Sequence, residues 1–199
     1  MIAIVDYGVG NLHSVRRALE HWGAKPQITA DQDDLGRADG IVLPGVGAFA
    51  PALRRLQEGG LGRRIVEVAR RGVPLLGVCL GYQLLFDESE EEGRHAGLGL
   101  LSGRVIEVAG AARVPVIGWC RTRQADLSPL WQDVEDGSYF YYVHSFTPDG
   151  AGGVIGSTEH SPAAAAARLN VMGTQFHPEK SGEQGLRVYA NFLALAGAG

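Results

Sequence analysis

Cysteine is scarce in this chain of 199 residues, which contains only Cys79 and Cys120. Their wide separation matches neither a Cys-x-x-Cys redox pair nor a set of zinc ligands. No His-Glu-x-x-His segment occurs either, so the sequence gives no indication of a catalytic metal. We therefore expect two free thiols in a reducing compartment and no metal site.

Long apolar segments are also missing. No run of about 18 apolar residues, the minimum for a helix that spans a membrane, occurs anywhere in the chain. The N-terminus begins with a strand-like segment and lacks the basic region and apolar core of a signal peptide. We expect a cytoplasmic protein that does not enter a membrane.

An excess of positive charge is absent as well. The chain has 18 Lys and Arg against 22 Asp and Glu, which gives a formal charge of −4. Nucleic-acid backbones are usually bound by a basic surface, so no nucleic-acid partner is expected. Hydrophobic residues make up 45% and charged residues 20%, close to the average for globular proteins. The length suits one compact domain, assigned to residues 1–199.

Hydrophobic periodicity indicates an α/β fold. In the first ninety residues short apolar strands alternate with helical stretches, a pattern typical of βαβ units and a parallel sheet covered by helices on both faces. The predicted strands are 2–5, 26–30, 40–43 and 73–78, and helices are predicted at 61–71 and 81–88. The second half favours antiparallel additions to this sheet, with strands at 104–108, 114–119, 139–143, 153–158, 164–169 and 171–176. A final amphipathic helix is predicted at 183–195.

A candidate nucleophile lies where a buried strand meets a helix. The sequence at 77–81 is Gly-Val-Cys-Leu-Gly, a nucleophile-elbow pattern with Cys79 in the place of serine. Small residues on both sides allow a sharp turn, and N–H groups at a helix start favour a thiolate. A buried structural cysteine is the alternative, and this pattern alone does not decide between them.

A base with an orienting carboxylate completes the pattern. His177 follows a predicted strand, and Pro178 directs its backbone to an extended conformation. Glu179 is placed to bind one imidazole nitrogen and leave the other for the thiol, as in a Cys-His-carboxylate triad. His144 also ends a strand and is a candidate for lining the site, but no carboxylate lies beside it.

Glycine-rich turns follow two other strands. After the strand at 40–43, Gly45, Val46 and Gly47 are placed to direct backbone N–H groups toward a developing oxyanion, with Leu80 N–H as a second donor. An ordinary β-to-α turn is the alternative. Gly-Val-Gly at 8–10 resembles the start of a dinucleotide fingerprint, but His13 occupies the third glycine position. No nicotinamide or other cofactor is therefore expected.

The whole chain resembles the class I (triad) glutamine amidotransferases, and among them the glutaminase subunits of imidazole glycerol phosphate synthase. The matching segments are Asp-Tyr-Gly-Val-Gly-Asn at 6–11, Pro-Gly-Val-Gly at 44–47, Gly-Val-Cys-Leu-Gly-Tyr-Gln at 77–83, Tyr-Val-His-Ser at 142–145 and Phe-His-Pro-Glu-Lys-Ser at 176–181. This resemblance implies a flavodoxin-like three-layer sandwich that hydrolyses glutamine. It also implies that the substrate is bound by Gln83, with Glu91 and the Ser145 backbone as further contacts.

The same resemblance implies a partner. In that family the ammonia passes to a (β/α)8-barrel cyclase, which forms imidazole glycerol phosphate and an aminoimidazole carboxamide ribotide in histidine biosynthesis. Trp119, Tyr141 and Lys180 are the implied contacts with the cyclase in a heterodimer. The family usually has His and Asn where this chain has Val116 and Cys120, so we expect signalling from the partner to use different contacts.

Three alternatives remain open at this point. A glutaminase of the same type could serve another acceptor, such as chorismate or a pyridoxal phosphate precursor. An elbow cysteine also occurs in hydrolases and peptidases that ignore glutamine. A non-catalytic regulatory domain would be expected to lose at least one triad position, whereas Cys79, His177 and Glu179 are all present.

Overall fold

A computed structural model describes residues 1–198. The helices are α1 (Leu12–Glu20), α2 (Gln32–Arg37), α3 (Phe49–Glu58), α4 (Leu61–Arg70), α5 (Leu80–Gln83) and α6 (Gly182–Leu195), with short 3-10 turns at Pro129–Trp131 and Pro178–Lys180. The strands are β1 (Ile2–Val5), β2 (Gln27–Thr29), β3 (Gly40–Leu43), β4 (Leu75–Val78), β5 (Phe86–Ser89), β6 (His95–Ala96), β7 (Leu101–Glu107), β8 (Val116–Arg121), β9 (Arg123–Gln124), β10 (Tyr139–His144), β11 (Phe146–Asp149), β12 (Val154–Ser157), β13 (Ala165–Arg168) and β14 (Val171–Thr174).

Eight strands form the central sheet, in the order β2-β1-β3-β4-β14-β13-β12-β9. The first five of these strands run parallel. The last three continue the sheet in antiparallel pairings. The carboxyl ends of β3, β4 and β14 consequently lie side by side, which is where functional groups gather in parallel sheets.

Each face of the sheet packs against helices. On one face Val5, Ile41 and Leu75 contact apolar side chains of α2, α3 and α4. On the other face Ile4 and Leu76 pack against α1 and α6. Successive residues of a strand point to opposite faces, so an uninterrupted apolar run is what a strand buried on both sides requires. The resulting α/β three-layer arrangement confirms the predicted fold class.

Two smaller sheets lie beside the central one. Strands β10 and β8 form an antiparallel pair. The other small sheet has the order β11-β7-β5-β6. The prediction that all later strands are antiparallel additions to the central sheet is therefore wrong in two respects. Several of the later strands belong to the two smaller sheets instead. Strand β14 does join the central sheet, but in parallel next to β4, which leaves β13, β12 and β9 as its antiparallel additions.

The predicted helix at 81–88 is also wrong in its second half. Helix α5 ends at Gln83, and Phe86–Ser89 is strand β5. Phe86 and Ser89 are completely buried there, and β5 pairs with both β6 and β7. Pairing with β6 and β7 thus overrides the local helical pattern.

None of the helices within residues 1–198 is long and apolar enough to cross a membrane.

Candidate active site

Cys79 stands in a strained turn between β4 and α5. Its backbone has φ of +54°, a region that non-glycine residues rarely adopt and that is often found at functional sites. The turn depends on its small neighbours. A Cβ on Gly81 would overlap the carbonyl oxygen of Leu43, and one on Gly77 would lie 2.7 Å from the Cα of Tyr82. The sequence pattern therefore produces the predicted elbow.

His177 lies just beyond β14, beside the elbow. Its backbone is extended, as the following proline predicts. Its N–H donates to the Tyr141 carbonyl over 3.0 Å, and its own carbonyl accepts from Ser181 Oγ over 2.6 Å. These bonds fix the backbone of His177 relative to β10 and to the start of α6.

Glu179 orients the imidazole from behind. Its Oε1 lies 2.8 Å from His177 Nδ1, and the two side chains are 1% and 2% exposed. The Tyr189 hydroxyl donates to Oε2 of the same carboxylate over 3.4 Å. Burial alone disfavours the imidazolium, but the Cys79 sulfur and the Glu179 carboxylate outweigh it and raise the pKa of His177 to about 9.

The second imidazole nitrogen is free, beside the candidate nucleophile Cys79. His177 Nε2 is buried and has no hydrogen-bond partner among residues 1–198. Cys79 and His177 line the same cavity, and the proximity of the sulfur favours the charged form of the ring. Cys79 Sγ also lies 3.9 Å from the Val143 carbonyl oxygen. Catalytic hydrogen bonds are often loose before substrate binds. A proton donor or acceptor is thus left available beside the sulfur.

The cavity has a volume of about 230 Å³, below the roughly 300–1,000 Å³ of sites for drug-sized ligands. It contains most of the residues that the sequence predicts for oxyanion and substrate binding. Those lining it are Val46, Gly47, Leu80, Gln83, Glu91 and Ser145. Its size and lining suit a small polar metabolite.

Gly45 does not line the cavity but supports its wall. A Cβ on this residue would lie 2.7 Å from the N atom of Gly81 and 2.7 Å from the hydroxyl of Tyr7. That hydroxyl donates to the Pro44 carbonyl over 2.8 Å. The turn after β3 is therefore packed directly against the elbow, with Tyr7 holding it from the end of β1.

All three predicted substrate contacts already bind protein groups. Gln83 Nε2 donates to the Phe146 carbonyl over 2.8 Å. Glu91 Oε2 accepts the N–H of Phe49 over 2.8 Å at the start of α3, and burial raises the pKa of this carboxylate. The carbonyl of Ser145 accepts from Val108 N–H over 2.9 Å. These bonds hold all three segments at the cavity wall.

Sequence reasoning missed Gln175 and Tyr7. Gln175 Nε2 lies 3.8 Å from Cys79 Sγ. The pKa of Tyr7 is raised mainly by burial and further by the nearby Cys79. Tyr7 lies inside the family-matching segment at 6–11, just after β1, whereas Gln175 lies just before the matching segment at 176–181, directly after β14. The position of each at the carboxyl end of a parallel strand was the available signal.

His144 lines the cavity, as considered from the sequence. Its Nδ1 lies 3.0 Å from the Phe146 carbonyl, to which it donates. Burial lowers the pKa of His144 to about 4, so the ring is neutral near neutral pH. His144 is therefore better suited to lining the cavity than to acting as a second proton donor beside His177.

The three predicted partner contacts lie together outside the cavity. The rings of Trp119 and Tyr141 meet edge to face with centroids 6.2 Å apart. The Lys180 ammonium lies 5.7 Å from the centre of the Tyr141 ring. Trp119 is 56% exposed, although exposed tryptophan is uncommon in a monomer.

No group of three or more His, Cys, Asp and Glu side chains that could hold a metal ion occurs in the part of the chain that the structure describes. Both cysteines are free thiols.

Comparison with known proteins supports this geometry. The family model described as glutamine amidotransferase class-I matches residues 3–196. A protein of Moorella thermoacetica named imidazole glycerol phosphate synthase subunit HisH is 48% identical over 198 residues, covering 98% of this chain and 94% of its own. A protein of the same name from Gloeobacter violaceus is 46% identical over 204 residues, covering 98% of this chain and 89% of its own.

Solved structures agree at the level of the fold. One described as a glutamine amidotransferase matches with a TM-score of 0.81 at 19% identity, over 99% of this chain and 100% of its own. The structure of PurLQS from Thermotoga maritima matches with a TM-score of 0.77 at 22% identity, over 97% of both chains. The extent of the family match and the near-complete coverage of its relatives show that this chain belongs to the class I glutamine amidotransferases.

Proposed function

We propose that the chain hydrolyses L-glutamine to L-glutamate and ammonia and supplies the ammonia to a synthase partner in histidine biosynthesis. The observation that carries the chemistry is the meeting of the Cys79 thiol and the free Nε2 of His177 in one small cavity, with Glu179 bound to the other ring nitrogen. Family membership and the names of its relatives support the substrate and the pathway.

The first half of the reaction forms a thioester. The Cys79 thiolate attacks the carboxamide carbon of glutamine, and the electron pair of the C=O bond moves to oxygen. When the tetrahedral intermediate collapses, the C–N bond breaks and the His177 imidazolium gives its Nε2 proton to the departing nitrogen. The products are ammonia and a γ-glutamyl thioester on Cys79.

The second half releases glutamate. Neutral His177 takes a proton from water through Nε2, and the resulting hydroxide attacks the thioester carbon. The C–S bond breaks, the thiolate returns, and the imidazolium is restored. Glu179 keeps the same ring nitrogen facing the sulfur in both halves through its 2.8 Å contact with Nδ1.

The oxyanion of both intermediates needs donors near Sγ. Leu80 begins α5 directly after the nucleophile, and the first N–H groups of a helix have no partner within it. Val46 and Gly47 line the same cavity from the turn after β3. We assign the oxyanion to these backbone groups, since hydrogen bonds from fixed dipoles stabilise developing charge.

The proposed partner is a (β/α)8-barrel cyclase in a heterodimer. The docking surface we assign to it is the outward face of β8 and β10, where Ile117, Trp119 and Tyr139 are each more than half exposed and Tyr141 and Lys180 adjoin them. Exposed aromatic groups of this kind are typical anchors of protein interfaces. Val143 of β10 lines the cavity, so this surface continues to the site where ammonia forms. We also propose a cytoplasmic location, which suits two free thiols.

Glutamate release from L-glutamine tests the proposal. The chain is assayed alone, with a barrel cyclase subunit, and with the cyclase and its phosphoribosyl ligand. We expect weak release alone and strong release in the ligand-bound complex, because an uncoupled glutaminase would waste glutamine. Release that ignores the cyclase would point to another acceptor, such as chorismate or a pyridoxal phosphate precursor. An absence of release in all three conditions would contradict the glutaminase itself.

A further inference from the structure

Gln175 lies between β14 and His177 with its side chain completely buried. Its backbone N–H donates to the Ala164 carbonyl over 2.8 Å, which holds the residue at the sheet end. A buried amide must satisfy both its oxygen and its nitrogen. The partners of these two atoms determine what Gln175 presents to the nucleophile.

The amide has one orientation because of Gln83. Gln83 Nε2 donates to Gln175 Oε1 over 3.0 Å and to the Phe146 carbonyl over 2.8 Å. Both N–H groups of Gln83 are therefore used, and the oxygen of Gln175 must face them. The reversed orientation would place two NH₂ groups against each other, so Gln175 Nε2 is the atom that faces Cys79 Sγ, at 3.8 Å.

We propose that Gln175 is a catalytic residue that donates a hydrogen bond from Nε2 to the Cys79 thiolate and holds it in the attacking position. The proposal rests on the assignment of Cys79 as the nucleophile. Hydrogen bonds to a charged acceptor are about twice as strong as neutral ones, and this one is directed by a buried network that loses no freedom when the thiol ionises. Gln83, at the cavity wall, sets the direction of the donor.

Other groups around the sulfur make a different contribution. The titratable ones are His177 from the end of β14 and Tyr7 from the end of β1, with Glu91 and His144 across the cavity. His177 changes its charge during the reaction, whereas Gln175 is a donor at every pH. A permanent donor keeps part of the thiolate stabilisation after the imidazolium has lost its proton.

The rate of alkylation of Cys79 by iodoacetamide, measured against pH, tests the proposal in the isolated chain. Every variant carries Cys120→Ser, so that Cys79 is the only thiol that iodoacetamide can alkylate. The additional Cys79→Ala variant gives the rate of any reaction at other side chains. Gln175→Met keeps the length of the side chain and removes the donor. Because Gln175→Met loses a hydrogen bond to a charged group, we expect the midpoint of its curve of alkylation rate against pH to lie about one to two pH units higher.

The control is Asn191→Leu, because Asn191 is a buried amide that donates to the carbonyls of Leu130 and Gln132, away from the cavity. It should lose stability without moving the midpoint. A second variant, Gln175→Leu, also removes the donor, with a shorter apolar side chain, and should shift the midpoint in the same direction as Gln175→Met. An unchanged midpoint in either folded Gln175 variant, or an equal shift in Asn191→Leu, would overturn the proposal. Alkylation requires no glutamine, so its outcome is independent of whether glutamine proves to be the substrate.

Discussion

At the scale of single residues, the site depends on which proton each side chain holds. The pKa of His177 rises to about 9 because the Cys79 sulfur and Glu179 outweigh the effect of burial, so near neutral pH the ring is an imidazolium able to protonate a departing nitrogen. The pKa of His144 falls to about 4 because the ring is buried, and it stays neutral. Two histidines at one cavity are thereby assigned different tasks.

Replacing Glu179 with Gln should change the pH profile of glutamine hydrolysis. In the native chain the rate should fall as pH rises through about 9, where His177 loses its proton. Removing the carboxylate disfavours the imidazolium, so the fall in rate at high pH should move to lower pH, and the maximum rate should drop by roughly 10²- to 10⁴-fold. A rate profile identical to that of the native chain would contradict the role of Glu179.

The raised pKa of His177 also affects the stability of the fold. The charged ring contributes its full stabilisation below the usual pKa of 6.5, and this contribution is lost as the pH rises through about 9.

Local sequence signals were sufficient to predict the elbow at Cys79, the extended backbone of His177 and the contact of His177 with Glu179, because each has its determinants nearby in the chain. Gly81 and Gly77 permit the elbow, and Pro178 extends the backbone of His177. The place of Gln175 at the site was missed because it depends on contacts with Cys79 and Gln83, which are far away in the sequence. A pattern within one segment carries no information about such contacts.

At the scale of elements, three neighbouring strands assemble the site at one edge of the sheet. The turn after β3 carries the proposed oxyanion donors, β4 leads to the proposed nucleophile, and β14 leads to the proposed base. Their order follows from parallel pairing, which aligns the carboxyl ends of all three. The positions of β3 and β4 were predictable because uninterrupted apolar runs mark strands buried on both faces. The parallel pairing of β14 with β4 and the change from α5 to β5 were not, because they depend on pairing with strands in other segments of the chain.

A Gly45→Ala substitution should disturb the oxyanion turn. The added Cβ would meet the backbone N of Gly81 and the hydroxyl of Tyr7, each at 2.7 Å, so the turn must move away from the elbow. We expect a stability loss of about 1–3 kcal/mol from overpacking and a fall in kcat of roughly 10²- to 10³-fold from lost oxyanion donors. Urea unfolding and steady-state kinetics measure the two effects.

Gly62→Ala, within α4, is the matched control. A Cβ there would lie 3.4 Å from Leu98 Cδ2, an ordinary contact, and alanine is a better helix former than glycine. Its kcat should match the native value. Full activity in Gly45→Ala would show that the turn does not provide the oxyanion donors.

At the scale of the whole molecule, the cavity and the proposed docking surface form one functional end of the protein. The outward face of β8 and β10 leaves Ile117, Trp119 and Tyr139 exposed, and the opposite face buries Phe140 and Tyr142 in the core. The family prediction from sequence is confirmed by the match over residues 3–196. The shape of the docking surface could not be predicted from the sequence, because it depends on the antiparallel pairing of β8 with β10, which are separate segments of the chain.

Trp119→Ala should weaken binding of the barrel cyclase. Aromatic anchors at interface centres contribute about 2 kcal/mol or more, equivalent to roughly a 30-fold rise in Kd. Titration calorimetry with the purified cyclase measures the change. Leu127→Ala removes a side chain that is 97% exposed elsewhere on the surface and should leave Kd unchanged. Equal affinities for the two variants would exclude this face as the docking surface.

The most direct measurement of the central claim is mass spectrometry of the protein quenched in acid during turnover of L-glutamine. We predict an added mass of one γ-glutamyl group, located on the peptide that contains Cys79, in the native chain and a complete absence of it in Cys79→Ala. Glutamate release with no adduct on Cys79 in any quenched sample, or release that persists in Cys79→Ala, would contradict the account.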